Sequence, residues 1–267
     1  MKSQAVGLAL TLSLLVSCSV VAAQDSTTVT ASTSKAAEGL DLRAVAELFK
    51  DSKDLEDFEK RLNDPNVGIN NLDLNDDGDV DFIRVLAEAG GDTHVIVLQV
   101  PLAKDEFQDV ATIEVEKAGS DQYNMQVTGN EHIYGPAYYV APPSVHIIRW
   151  PVIATLYAPV YRPYRSAFYF GAYPRWWTPF HPVAVGVYHT RAVRLTARNT
   201  FVVTPTRRVT TVARVHYAPR SSTLVTNRTT VTRSATGTTT RSTTRATTHA
   251  GGKTTTKTKT TTTRRKH

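Results

Sequence analysis

Residues 72–82 read LDLNDDGDVDF, and the hydrophobic pattern changes period across them. Upstream, Leu42, Val45, Ala46 and Phe49 recur at helical spacing. Leu55, Phe58 and Leu62 do so again after a polar break at Asp51 and Ser52, either of which can cap a second helix. Asp64 and Pro65 end that helical region. Downstream, short β-rich runs follow one another over residues 80–87, 94–100, 111–117 and 123–127. Gly90-Gly91, Ala118-Gly119-Ser120 and Gly129-Asn130 punctuate them. Helices first and consecutive strands afterwards predict an α+β domain over residues 41–142, with N-terminal helices and a small antiparallel β-sheet. Such a length, about 100 residues, suffices for one modest core.

The stretch itself places five aspartates within the nine positions 73–81, and no lysine or arginine follows until Arg84. Asp73, Asn75, Asp77 and Asp81 fall at positions 1, 3, 5 and 9 of a DxNxDGxxD loop, with Gly78 at position 6 and the Asp79 carbonyl at position 7. Alternate side chains on a tightly wound turn converge, glycine permits the left-handed bend, and hard oxygen donors suit calcium, which removes the repulsion. A plainer reading is an acidic β-turn in which Asn75-Asp76-Asp77-Gly78 supplies turn chemistry alone. The spacing resembles calcium loops of the EF-hand and dockerin kind, and more closely the DxNxDGxxD loops of FG-GAP type repeats in β-propellers and integrin-like proteins. It departs from the EF-hand at position 12, where Arg84 replaces a bidentate glutamate. The flanks, Leu72 before and residues 80–83 after, read as strands instead of helices. The resemblance therefore implies a calcium-holding hairpin built from Asp73, Asn75, Asp77, Asp79 and Asp81. It occurs once and says nothing about the whole fold. The longer run NNLDLNDDGDVDFIRV, with the β segment and the Tyr/Trp/Pro-rich stretch behind it, resembles uncharacterised exported bacterial proteins, a likeness that implies no activity.

Residues 1–23 read as a signal peptide: Lys2 supplies the positive start, and an uncharged, mostly apolar run follows from Ala5 to Ala23. Thr11, Ser13, Ser17 and Ser19 dilute that run relative to a membrane span. Cys18 follows Leu15-Val16-Ser17, a tetrad that resembles the lipobox of bacterial lipoproteins, in which the cysteine is lipidated and becomes the first mature residue. Val21-Ala22-Ala23 before Gln24 forms instead a small-residue cleavage pattern that discards Cys18, and both readings stay open. Neither leaves a thiol pair. A later transmembrane span is not expected, because the best apolar run, residues 145–160, contains Arg149, Pro151 and Pro159.

Residues 24–40 read as a flexible linker rich in Ser, Thr and Ala. An aromatic, proline-rich arm follows the domain over residues 143–190, with all three tryptophans, six tyrosines and three phenylalanines among repeated prolines and arginines. Two readings apply: the aromatics pack over the sheet, or they form an exposed aromatic and arginine surface for a glycan, a lipid headgroup or a partner. Residues 183–218 alternate Val, Arg and Thr and read as a marginal strand pair. From Arg191 onward there are 17 basic residues and no acidic one. Residues 221–267 hold 21 threonines with few apolar side chains, which predicts a Thr/Arg/Lys-rich tail, disordered after about Ser221.

The formal charge of +7 conceals a partition. Residues 1–131 carry −14, with 10 basic against 24 acidic side chains, and residues 132–267 carry +21 with no acid at all. Such a dipole favours anionic partners for the tail and lets it fold back on its own body or bind that of another chain; the oligomeric state stays open. No GxSxG, HExxH or CxxC spacing occurs, the eight histidines are dispersed, and Asp54 to Glu59 read as the polar side of an amphipathic helix. The expected function is thus non-enzymatic: an exported envelope or surface protein of periplasm, outer membrane or cell exterior. Its domain is calcium-stabilised, and its cationic tail binds anionic polysaccharide, lipopolysaccharide or anionic lipid. Extracellular nucleic acid satisfies the same physics. The alternative is an extracellular enzyme or inhibitor with its site on the aromatic arm.

Overall fold

The computed structural model describes residues 27–28, 38–143, 150–198, 200–210, 221, 224–233, 238–249 and 252–264. The signal peptide, Cys18 and nearly all of the linker lie outside them.

Helix α1, Leu42–Lys50, starts where Asp41 accepts the Arg43 N–H at 2.8 Å, and it buries Leu42, Val45, Ala46 and Phe49. Helix α2, Leu55–Leu62, is capped by Asp54, which accepts the Asp57 N–H at 2.8 Å. Neither expected cap, Asp51 nor Ser52, serves: the buried Ser52 hydroxyl turns back to donate to Leu48 O at 2.7 Å. Phe49 and Phe58 join the two helices edge to face, with ring centres 5.5 Å apart.

A two-residue strand β1, Thr27–Thr28, precedes the helices, and the main sheet follows them. Its strands are β2 (Arg84–Gly90), β3 (Thr93–Ala103), β4 (Glu106–Lys117), β5 (Tyr123–Gly129), β6 (Tyr139–Ala141) and β7 (Val202–Thr204), an antiparallel meander in that order. The fold is therefore α+β. β3 is buried on both faces over Thr93–Leu102, which explains its near-continuous apolar sequence. Pro101 is tolerated there because the register shifts beside it.

The core does not stop at residue 142. Val152, Ile153 and Leu156 of helix α4 (Pro151–Leu156) join it, as do Tyr188 and Ala192 of helix α5 (Val185–Thr196), and Phe201. Helix α3, Glu131–Tyr134, brings in Ile133 and Tyr134. Helix α5 corrects the expectation of a strand pair over residues 183–218: Tyr188, Ala192 and Thr196, four residues apart, are its buried stripe, and among the described residues of that stretch only β7 is a strand, residues 211–218 lying outside them. Two phenols fasten the start of α1, since Tyr134 OH donates to Leu40 O at 2.9 Å and Tyr188 OH accepts the Asp41 N–H at 2.6 Å.

The described part of the tail carries backbone pairing. Strands β8 (Leu224–Arg233), β9 (Thr238–Thr248) and β10 (Thr254–Arg264) pair antiparallel into a ribbon, with β1 along β8. Threonine is β-branched, which favours extended backbone. The compositional argument survives in the burial: residues 254–263 are exposed throughout, and Val225 alone of the ribbon's described side chains enters the core. Among the described residues no helix is long and apolar enough to cross a membrane.

Residues 80–83, expected as strand, pair with no strand. Side chains replace the missing neighbour: Asn63 accepts from Ile83 N and donates to Ile83 O, both at 2.8 Å, and Asn70 donates to Asp81 O at 2.8 Å. Asn63→Leu leaves both Ile83 groups unpaired, so it is expected to lower stability by about 2–3 kcal/mol, seen as a lower urea midpoint with an unchanged slope.

Candidate functional site

The aspartate loop hangs between two buried limbs. Leu72 and Leu74 enter the main core, and Phe82 enters an aromatic cluster with Phe168, Tyr173, Trp176 and Trp177, ring centres 5.3–6.2 Å away. One backbone bond, Asp81 N to Leu72 O at 2.8 Å, closes the base. The aromatic arm holds the outside: Val80 N donates to Phe180 O at 2.7 Å, and Asn71 exchanges two bonds with the Val183 backbone.

Within the turn, the side chains of the expected metal-binding residues are engaged with the loop or its neighbours. Asp73 accepts from Asp76 N at 2.7 Å and from Gly78 N at 3.3 Å; Asn75 accepts from Asp77 N at 3.0 Å and donates to Asp77 Oδ2 at 2.7 Å. Asp77 accepts from Asp79 N at 2.9 Å, and the Asp79 carboxylate faces His181 Nδ1 at 3.0 Å. Asp81 is 7% exposed and accepts from Leu74 N. Burial pushes its carboxyl up to about 8, with the charges of Asp73 and Asp77 adding to the rise and Arg245 opposing it. The Asp73 carboxyl is raised by the same burial and by Asp76 and Asp77. Gly78 has φ +93° and Asp76 φ +64°, the left-handed pair that turns the chain. The structure thus brings Asp73, Asn75, Asp77 and Asp81 onto one turn and directs Asp79 at the arm. Among the described residues no group of three or more His, Cys, Asp or Glu side chains is placed to hold a metal ion.

Countercharge comes from the tail. Arg245 Nη1 lies 3.6 Å from Asp76 Oδ1, and His249 Nδ1 lies 3.1 Å from Glu106 Oε2. Backbone bonds between Val225 and the Gln108 side chain hold the base of the ribbon. The β9–β10 register sets Arg245 opposite Lys257, Thr243 opposite Lys259 and Arg241 opposite Thr261. Alternation then puts Arg241, Arg245, Lys257 and Lys259 on one face. Thr244, Thr248, Thr254 and Thr258 occupy the other, where hydroxyls of facing threonines lie 3.0–3.2 Å apart.

Sequence reasoning missed Glu59. Its place four residues after Leu55 is on the apolar stripe, and the structure buries it: the carboxylate accepts Val85 N at 2.6 Å and the Tyr164 hydroxyl at 3.2 Å. This corrects, at Glu59 alone, the reading of residues 54–59 as the polar side of the helix; Glu56 is exposed and Asp57 half-buried. Burial pushes Glu59 up to about 7, against the pull of those hydrogen bonds and of Arg84. The sheet's other face mixes polar groups with the small apolar cluster of Leu86, Val95 and Val97: Arg84 and Asp109 meet across Gln99, and Arg207 Nη2 donates to both oxygens of the buried Glu114 carboxylate, 3.1 Å from each.

No family model, curated protein or solved structure matches this chain.

Because folded Glu59 keeps a proton that the unfolded chain releases near 4.5, its contribution is fully present below that pH and is lost as pH rises through about 7. Stability is expected to fall across this window, and Glu59→Gln to flatten that part of the slope, in urea unfolding at about pH 5 and about pH 8.

Proposed function

We propose that the protein is a non-enzymatic, exported envelope or surface protein whose tail holds anionic polymers. The observation that carries this reading is the gathering of Arg241, Arg245, Lys257 and Lys259 on one face of the ribbon. Strand pairing fixes their spacing, and Arg241, Lys257 and Lys259 are exposed, so a polyanion meets these three as a row instead of ordering a loose chain, and it releases its counterions on contact. Arg245 already rests against Asp76, so the ribbon practises on its own body the pairing it offers to others. Acidic polysaccharide, lipopolysaccharide and anionic lipid are the partners this charge serves in the envelope, with extracellular nucleic acid bound by the same force.

Calcium at the aspartate loop completes the reading. Its support is the loop spacing and the burial of Asp81 among like charges, which a divalent ion offsets directly. Binding requires Asp73, Asn75 and Asp77 to exchange their amide partners for the ion, so affinity is weak and the effect structural.

Two outcomes are expected. Retention on heparin falls steeply with salt, and Lys257→Glu with Lys259→Glu lowers the eluting salt concentration; salt-insensitive retention counts against the ribbon. Calcium at about a hundred times Kd raises Tm by about 5–10 °C, and Asp77→Ala abolishes the rise. A flat calorimetric titration at millimolar calcium removes the metal from the account and leaves the ribbon untouched.

A further inference from the structure

Not all of the arm's aromatics are packed. Phe168, Tyr173 and Trp177 gather on Phe82, but Tyr169 is 53%, Phe170 46% and Trp176 44% exposed. Their mounting is rigid. Residues 164–166 lie along the free edge of β2: Ala87 N donates to Tyr164 O at 2.7 Å, and Ser166 N donates to Val85 O at 2.9 Å. From that edge the chain makes a tight hairpin, in which Tyr169 and Ala172 exchange backbone bonds of 2.9 and 3.2 Å around Phe170 and Gly171. Gly171, at φ +74°, supplies the left-handed corner, and Phe170 is left at the tip. Below, the Arg84 guanidinium sits 5.0 Å from the Tyr169 ring centre, and Phe168 props the turn on Phe82 at 5.6 Å.

We propose that this hairpin and Trp176 form a second interaction surface, a wedge that enters the headgroup region of an anionic lipid layer. Three observations choose lipid over the other surfaces a ring can meet. The tip, Phe170-Gly171, carries no hydrogen-bonding side chain of the kind a sugar needs beside a stacked ring. The rings that project are of the types that settle at membrane interfaces, presented on a turn closed by two backbone bonds between Tyr169 and Ala172. Cations flank the rings: Arg175 is exposed, Arg165 is exposed beside its partner Glu88, and Lys60 Nζ lies 5.9 Å from the Trp176 ring centre. Anionic headgroups complement that charge. The surface is separate from the ribbon and stands or falls without it.

Vesicles carrying brominated phosphatidylglycerol test it with the full-length protein, in salt high enough to weaken the ribbon's contacts. Tryptophan fluorescence is expected to be quenched, and Trp176→Phe to remove most of the quenching. Phe170→Asp is expected to weaken vesicle partitioning about tenfold, with Phe170→Leu restoring it. Because the Phe170 side chain is at the tip, unchanged circular dichroism and Tm are expected for both variants. Unquenched wild-type fluorescence overturns the proposal, as does quenching that Phe170→Asp leaves intact. Retention on an insoluble glycan that Phe170→Asp abolishes, with vesicles inert, reassigns the surface to sugar and overturns it equally.

Discussion

The arrangement of this protein depends on asparagine side chains doing what a neighbouring strand usually does. Residues 71–83 pass from the helices to the sheet without entering a ladder, yet their backbone groups lie in or beside the core and must be paired. Asn63 and Asn70, themselves 0% and 3% exposed, take up Ile83, Leu72 and Asp81, and Asn71 ties the same segment to Val183. With both limbs held, Leu74 and Phe82 face different clusters and the acidic turn between them is pushed outward. The loop's exposure and the seat of the aromatic arm follow from that clamp.

Electrostatics act on a second level. The chain separates acid from base by sequence, and the fold brings part of them together again: Arg245 meets Asp76, Arg165 meets Glu88 and Arg207 meets Glu114. These pairs differ in weight. Glu114 is almost wholly buried and also accepts from Gln126, so its fork with Arg207 holds the chain after β7 against the sheet. Pairs at the surface, such as Arg165 with Glu88, contribute little and shift with salt.

Much of the body was legible because periodicity reports burial. The stripes of α1 and α2 and the runs of β3, β4 and β5 each expose a repeat that a single sequence displays. Legibility failed where the deciding contacts are remote. Asn63 reaches Ile83 twenty positions away, which no local pattern announces. Tyr188, Ala192 and Thr196 sit among valines and threonines whose β preference masked their fourfold spacing, and packing against α1 overrode it. The aspartates were visible as a cluster, but their engagement with amides of the same turn, and the arrival of Arg245 from 169 positions downstream, are properties of the folded chain.

The pair of phenols at the head of α1 has a mechanical corollary. Tyr134 and Tyr188 grip adjacent peptide groups at residues 40 and 41, one from beside the sheet and one from helix α5. Tension that reaches residue 40 is therefore shared between two distant parts of the molecule, after the short β1–β8 pairing upstream has taken the first load.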